Sequence, residues 1–179
     1  MRIMKHQSFL GLLLILCASI AGCASAPPAT PVQLHVPAGE SLIKQLHAKG
    51  VQIYECAPAK NDPSQYEWAF RGPEAKLLTS RGSAAGKHYA GPTWESNDGS
   101  AVVGEVVASS PSPQSGSIAW LLLRAKGTAG NGVFTHVRFI QRLNTVGGSA
   151  PAPACRKEQA GQQLRAAYSA DYFFYGAKR

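Results

Sequence analysis

Cysteine, methionine and acidic residues are scarce in this chain. Its 179 residues hold four Cys, two Met and ten Asp or Glu, against eighteen Lys or Arg. No two cysteines form a C-x-x-C pair, and the five histidines form no H-x-H or H-E-x-x-H. The common zinc spacings are therefore missing, and no metal is expected. No G-x-G-x-x-G follows a strand-like run, so a doubly wound dinucleotide fold has no cradle for its cofactor. No G-x-S-x-G elbow is present for an esterase-type serine. The stretch GSAAGKH (82–88) is one residue short of a phosphate loop, with His88 where Ser or Thr should stand; it reads as a turn entering a strand. No segment repeats at a fixed period. The basic residues are scattered, with no run longer than Arg156-Lys157 or Lys178-Arg179. Such a surface suits an anionic envelope and does not point to nucleic acid.

The N-terminus is informative. Arg2 and Lys5 precede an apolar run from Phe9 to Ile20, which is too short for a membrane-spanning helix. It leads into Ile20-Ala21-Gly22-Cys23. A basic start, an apolar middle and a small-residue exit describe a secretory signal. The ending resembles a bacterial lipobox, with Ile20 where Leu is usual, in which Cys23 would be acylated and become the first residue. The alternative is an ordinary signal cut after Ala24 or Ala26. For a lipoprotein, Ala24 directs the chain to the outer membrane, facing the periplasm or the cell surface. The expected organisation is a signal over residues 1–22, an Ala/Pro-rich tether over 23–39 and one domain over 40–179. The formal charge of +8 falls to +6 once Arg2 and Lys5 leave.

Cys17 lies in the signal and Cys23 is the lipidation candidate. Cys56 and Cys155 remain, 99 residues apart. In an oxidising compartment they are expected to pair; the alternative is two ligands of a metal site.

From residue 51 onward the pattern is β. VQIYEC (51–56) alternates, with Val51 and Ile53 on one side and Tyr54 and Cys56 on the other. QYEWAF (65–70) and EAKLLTS (74–80) read as two further strands, and AVVGEVVASS (101–110) as another. SIAWLLLRAKG (117–127) and GVFTHVRFIQRL (132–143) read as a long hairpin, with Trp120–Leu123 apolar on both faces. AYSADYFFYG (167–176) reads as an aromatic strand with Tyr168, Tyr172 and Phe174 on one side. ESLIKQLHAK (40–49) has helical spacing at Leu42, Ile43 and Leu46, with Gly50 as a stop, and predicts a short helix. EQAGQQLRAAY predicts a turn or a second short helix. The fold class is all-β, mainly an antiparallel sandwich or barrel, with one or two short helices.

The richest chemistry lies in HYAGPTWESNDGS (88–100), with His88, Tyr89, Trp94, Glu95 and Asp98. Asn97-Asp98-Gly99-Ser100 is a hairpin turn, with Asn97 suited to capping backbone amides. If Trp94 points inward, the block is a structural corner. If it points outward beside Tyr89, it is a platform for a glycan or another small ligand. His88, Glu95 and His136 would form a metal or hydrolytic site only if the fold made them converge. Glu95 and Asp98, three residues apart on one loop, are poorly placed to attack a sugar ring from both faces.

The stretches GVQIYEC (50–56), HYAGPTWESNDGSAVVG (88–104), AWLLLRAKG (119–127), FIQRLNTVGG (139–148) and YSADYFFYG (168–176) resemble, in order, the family known as domain of unknown function 3455. Its members are secreted bacterial and fungal proteins, and the GPTWE block with its following DGS is its most specific part. The resemblance implies no established activity. Some relatives carry a malate dehydrogenase label, which the missing dinucleotide motif rules against here. The function expected is that of a lipid-anchored envelope protein, structural or ligand-binding and without a cofactor; the alternative is a metal-binding or hydrolytic enzyme near His88 and Glu95.

Overall fold

From Leu46 to Cys56 every second side chain faces inward: Leu46, Ala48, Gln52, Tyr54 and Cys56 are buried, and His47, Lys49 and Glu55 between them are more exposed. That period of two belongs to a strand in a closed sheet. The computed structural model describes residues 29–178. It places eight antiparallel strands in one closed barrel, each beside its sequence neighbour, with β8 returning to β1. The strands are β1 Glu40–Pro58, β2 Tyr66–Leu78, β3 Ala84–Tyr89, β4 Thr93–Ser96, β5 Ala101–Ser110, β6 Trp120–Ala129, β7 Phe139–Gly147 and β8 Gln163–Ala177. The two helical pieces are single 3-10 turns, Val32–Leu34 and Lys157–Gln159.

Three expectations are corrected. Residues 40–49 are the first half of β1, not a helix. Their neighbour β8 pairs with them from Glu40↔Ala177 onward, and that ladder outweighs a short helical spacing. Gly50 is no stop either. It lies mid-strand, where a Cβ would collide with the Glu74 carbonyl and Ala75 of β2. The two strands expected at 65–70 and 74–80 are one, β2. Arg71-Gly72-Pro73 between them passes through at a register irregularity opposite Ile53/Tyr54, where a proline without an N–H is tolerated. The hairpin expected between β6 and β7 is short, running only from Leu121↔Arg142 to Arg124↔Phe139. Residues 130–138 leave the ladder because the amides of Val133 and Phe134 donate instead to Asp98 and Ser100. This segment folds across one end of the barrel, where the ring of buried Phe134 packs tilted against Phe174, centroids 4.6 Å apart.

The barrel has two cores. Inside lie Leu46, Ala48, Leu77, Trp94, Val102, Leu123, Ile140, Tyr168, Tyr172 and Phe174. Outside, Trp120, Leu122, Leu143, Phe173 and Tyr175 form a second cluster around Leu34. The aromatic strand thus splits as its alternation requires. Leu34, at 0% exposure, explains why Trp120–Leu123 is apolar on both faces. Its carbonyl accepts a bond from Gln141 Nε2, whose Oε1 accepts one from the Tyr175 hydroxyl at 2.7 Å. The expected tether therefore meets the barrel at Leu34. The signal, Cys17, Cys23 and the first part of that tether lie outside the described residues.

Cys56 and Cys155 are joined by a disulfide, with Cα atoms 5.9 Å apart. It ties the end of β1 to the loop that precedes β8.

Candidate functional site

The 88–100 block forms β3, β4 and the turns around them, and strand alternation divides its side chains. His88 and Trp94 are cross-strand partners and both face inward, at 2% and 1% exposure. Their rings stack, with centroids 4.4 Å apart and planes 9° from parallel. Tyr172 of β8 meets both edge-on, at 5.1 and 5.3 Å. His88 Nδ1 lies 2.8 Å from the Thr93 carbonyl. A carbonyl only accepts, so Nδ1 carries the proton and donates, and Nε2 is bare. Burial pushes the His88 pKa down to about 3, so the ring is neutral at physiological pH.

Tyr89 and Glu95 face outward. Glu95 accepts from the Tyr89 hydroxyl at 2.9 Å and pairs with Lys87 at 3.1 Å. These contacts, the tyrosine bond first, hold its carboxyl below the usual range. The Lys87 ammonium also lies over the Tyr89 ring, 5.5 Å from its centre. An outward Trp94–Tyr89 platform is therefore not formed. His88 and Glu95 stand on opposite faces of one sheet, and His136 is exposed on the 130–138 segment. Among the described residues no three His, Cys, Asp or Glu side chains gather as metal ligands.

Asp98 has a third role. Its Oδ1 accepts from Ser100 N at 2.9 Å and Ser100 Oγ at 2.6 Å, and its Oδ2 accepts from Val133 N at 2.9 Å. These donors, the Ser100 hydroxyl foremost, hold its carboxyl far below the ordinary value. It is a clasp between the β4–β5 turn and the segment that closes the barrel end. Asp98, not Asn97, caps the amides; the Asn97 side chain instead donates to the Ala84 carbonyl at 3.0 Å.

His88 and Trp94 belong to a larger arrangement. They line a cavity of about 280 Å³ to which every strand contributes. Gln52 comes from β1, Phe70–Pro73 from β2, Val106 from β5, Leu121 and Leu123 from β6, Arg142 from β7 and Tyr172 from β8. Phe70, at 54% exposure, and Val106, at 55%, stand at its open side. The wall is mainly apolar but carries several polar groups. Gln52 Nε2 and Trp94 Nε1 are buried without a hydrogen-bond partner, and the buried Tyr172 hydroxyl meets only the Tyr168 hydroxyl and the Arg142 guanidinium, short of good hydrogen-bond geometry. Each such group destabilises the fold by about 1–3 kcal/mol unless something satisfies it. Gln52 and Arg142 were not singled out in the sequence, and Tyr172 was read there only as part of an aromatic strand. The available signal was a polar residue at an inward register position: Gln52 in phase with Tyr54 and Cys56, Arg142 in phase with Ile140.

A wider, open groove of about 1210 Å³ lies along Leu42, Ile43, Lys126 and His136. Two of its cations are already paired, Arg138 with Glu40 and Arg124 with Glu105. None of its lining residues carries a buried polar atom without a partner. The smaller cavity is the better candidate site.

Fold and site together define a closed antiparallel β-barrel with a partly polar cavity in its interior, cross-linked by the Cys56–Cys155 disulfide. The family described as protein of unknown function (DUF3455) matches residues 37–176, and the chain belongs to that family. No curated protein and no solved structure matches the chain.

Proposed function

We propose that this protein is an exported, lipid-anchored barrel of the bacterial outer membrane that binds a small molecule in its interior. The observation that carries the binding reading is the cavity, with buried polar groups in its wall that the protein itself leaves unsatisfied. Its volume sits near the lower end of the range for small-molecule sites, ~300–1,000 Å³. That is the space of about nine waters, so the ligand has roughly ten non-hydrogen atoms inside the wall. The disulfide and the signal-like N-terminus support export to an oxidising compartment. The opposed placement of His88 and Glu95 favours binding over a metal or hydrolytic centre.

Native mass spectrometry of protein recovered from the cell envelope tests the binding reading. The wild type is expected to carry a bound small-molecule mass, and a Leu121→Trp variant that fills the cavity is expected to lose it. An equal load on both proteins, or none on the wild type, refutes it. Anchoring is read separately: Cys23→Ser should leave the membrane fraction, and its retention there excludes acylation as the anchor.

A further inference from the structure

The chemistry of the cavity wall restricts what can fill it. Arg142 is the relevant residue. It is only partly exposed, lines the cavity, and donates from Nε to the Ala119 carbonyl at 3.0 Å. Among the described residues it has no carboxylate partner. No Asp or Glu lines the cavity. Arg71 also borders it, but that guanidinium is paired with Glu55 at 3.1 Å. His88 contributes no charge. The cavity therefore holds one uncompensated positive charge, partly removed from water. Such a charge is costly alone and strongly favours an incoming anion.

The neutral polar groups agree. Gln52 Nε2 and Trp94 Nε1 are donors, and the Tyr172 hydroxyl can donate. A wall rich in donors and lacking acidic acceptors is complementary to an acceptor-only group. Leu121, Leu123, Val106 and Phe70 supply apolar side chains to the lining, with the last two exposed at the opening. They suit an apolar body.

We propose that the cavity takes a small amphiphilic monoanion of the carboxylate class, its carboxylate on Arg142 beside Tyr172 and its apolar body against Leu121, Leu123, Val106 and Phe70. A single guanidinium matches a single charge, and its planar fork matches a carboxylate. This rests on the ligand-binding reading above and deepens it.

Isothermal titration calorimetry of the full mature chain with octanoate, octanol and octylammonium tests the assignment. The three probes share a chain and differ in charge. Octanoate is expected to bind about tenfold or more tighter than octanol, the difference a charge-assisted hydrogen bond makes, and octylammonium not measurably. Arg142→Gln should abolish the octanoate preference while leaving octanol binding, which also reports that the variant is folded. Arg142→Lys should retain part of the preference. Should Arg142→Gln not fold, the wild-type ratio and Arg142→Lys carry the test. Equal binding of octanoate and octanol overturns the anion assignment but leaves a ligand-binding barrel. Octanoate affinity unchanged in both Arg142→Gln and Leu121→Trp overturns it too, placing the anion elsewhere on the basic surface. No binding of any probe overturns the proposed chemistry, and the envelope-recovery experiment then decides whether the barrel binds anything.

Discussion

Mild acid should destabilise this protein through His88. Its imidazole is 2% exposed and stacked between Trp94 and the edge of Tyr172. In the unfolded chain it titrates near 6.5, and in the folded barrel near 3. Between these values the unfolded state binds a proton that the folded state refuses. Stability is therefore fully present above about pH 6.5 and is lost as the pH falls toward 3. At pH 5 the separation from the unfolded value is about 1.5 units, which amounts to about 2 kcal/mol. A His88→Gln variant keeps an amide donor for the Thr93 carbonyl but cannot titrate. It should be less stable at pH 7.5 because the ring stacking is gone. Urea unfolding of both proteins at pH 7.5 and pH 5.0 isolates the effect, since every other titrating group is shared. The wild type should lose about 2 kcal/mol more than the variant on acidification. Equal losses in the two proteins would refute a buried, neutral His88.

Further perturbations follow from the same structure. Replacing Cys56 and Cys155 by Ser should lower unfolding stability by roughly 4–5 kcal/mol, the chain-entropy value for so long a loop, and a reductant titration should reproduce the loss in the wild type; unchanged stability would mean that the bridge does not constrain the unfolded chain. Asp98→Asn should weaken the acceptors for Val133 and Ser100, so those amides should exchange faster with deuterium while the rest of the barrel stays protected. Its stabilising effect should fade only as the pH falls below about 3.8, the unfolded value, because its folded pKa is depressed. Leu34→Ala empties the centre of the outer cluster and should destabilise by about 2–5 kcal/mol in thermal or urea melts. Gly50→Val should prevent β1 from approaching β2 and yield insoluble protein; a soluble, disulfide-bonded variant would contradict the close approach.

Much of the architecture could be read from residue patterns. The alternation in 51–56 and 167–176, the turn chemistry at 97–100 and the pairing of the two remaining cysteines all appear in the barrel. What escaped notice has physical reasons. Leu42, Ile43 and Leu46 satisfy a helical spacing over a short window, and only the distant partner β8 decides for a strand. Gly50 and Gly72-Pro73 look like punctuation, but they mark a close approach of two strands and an irregular register. Residues 132–138 are β-rich in composition, yet a carboxylate and a hydroxyl across the barrel end take their amides. The candidate site was half legible. His88 and Trp94 stood out because they sit in a dense motif. Gln52 and Arg142 did not, since a single polar residue in a strand has no local signature, and only closure of the sheet shows that both face the same interior. The family motif also misleads about chemistry: of its five reactive-looking residues, two are inside, two are outside and one is a clasp.

The pairing of β1 with β8 has a consequence for biosynthesis. The first strand pairs with β2 along one edge, but its other edge finds its partner only in the last fifteen residues of the domain, along a register that runs from Glu40↔Ala177 to Glu55↔Gln163. No segment that lacks β8 can close the cylinder. Closure of the cylinder therefore waits on the C-terminal strand, whatever the order in which the other seven form.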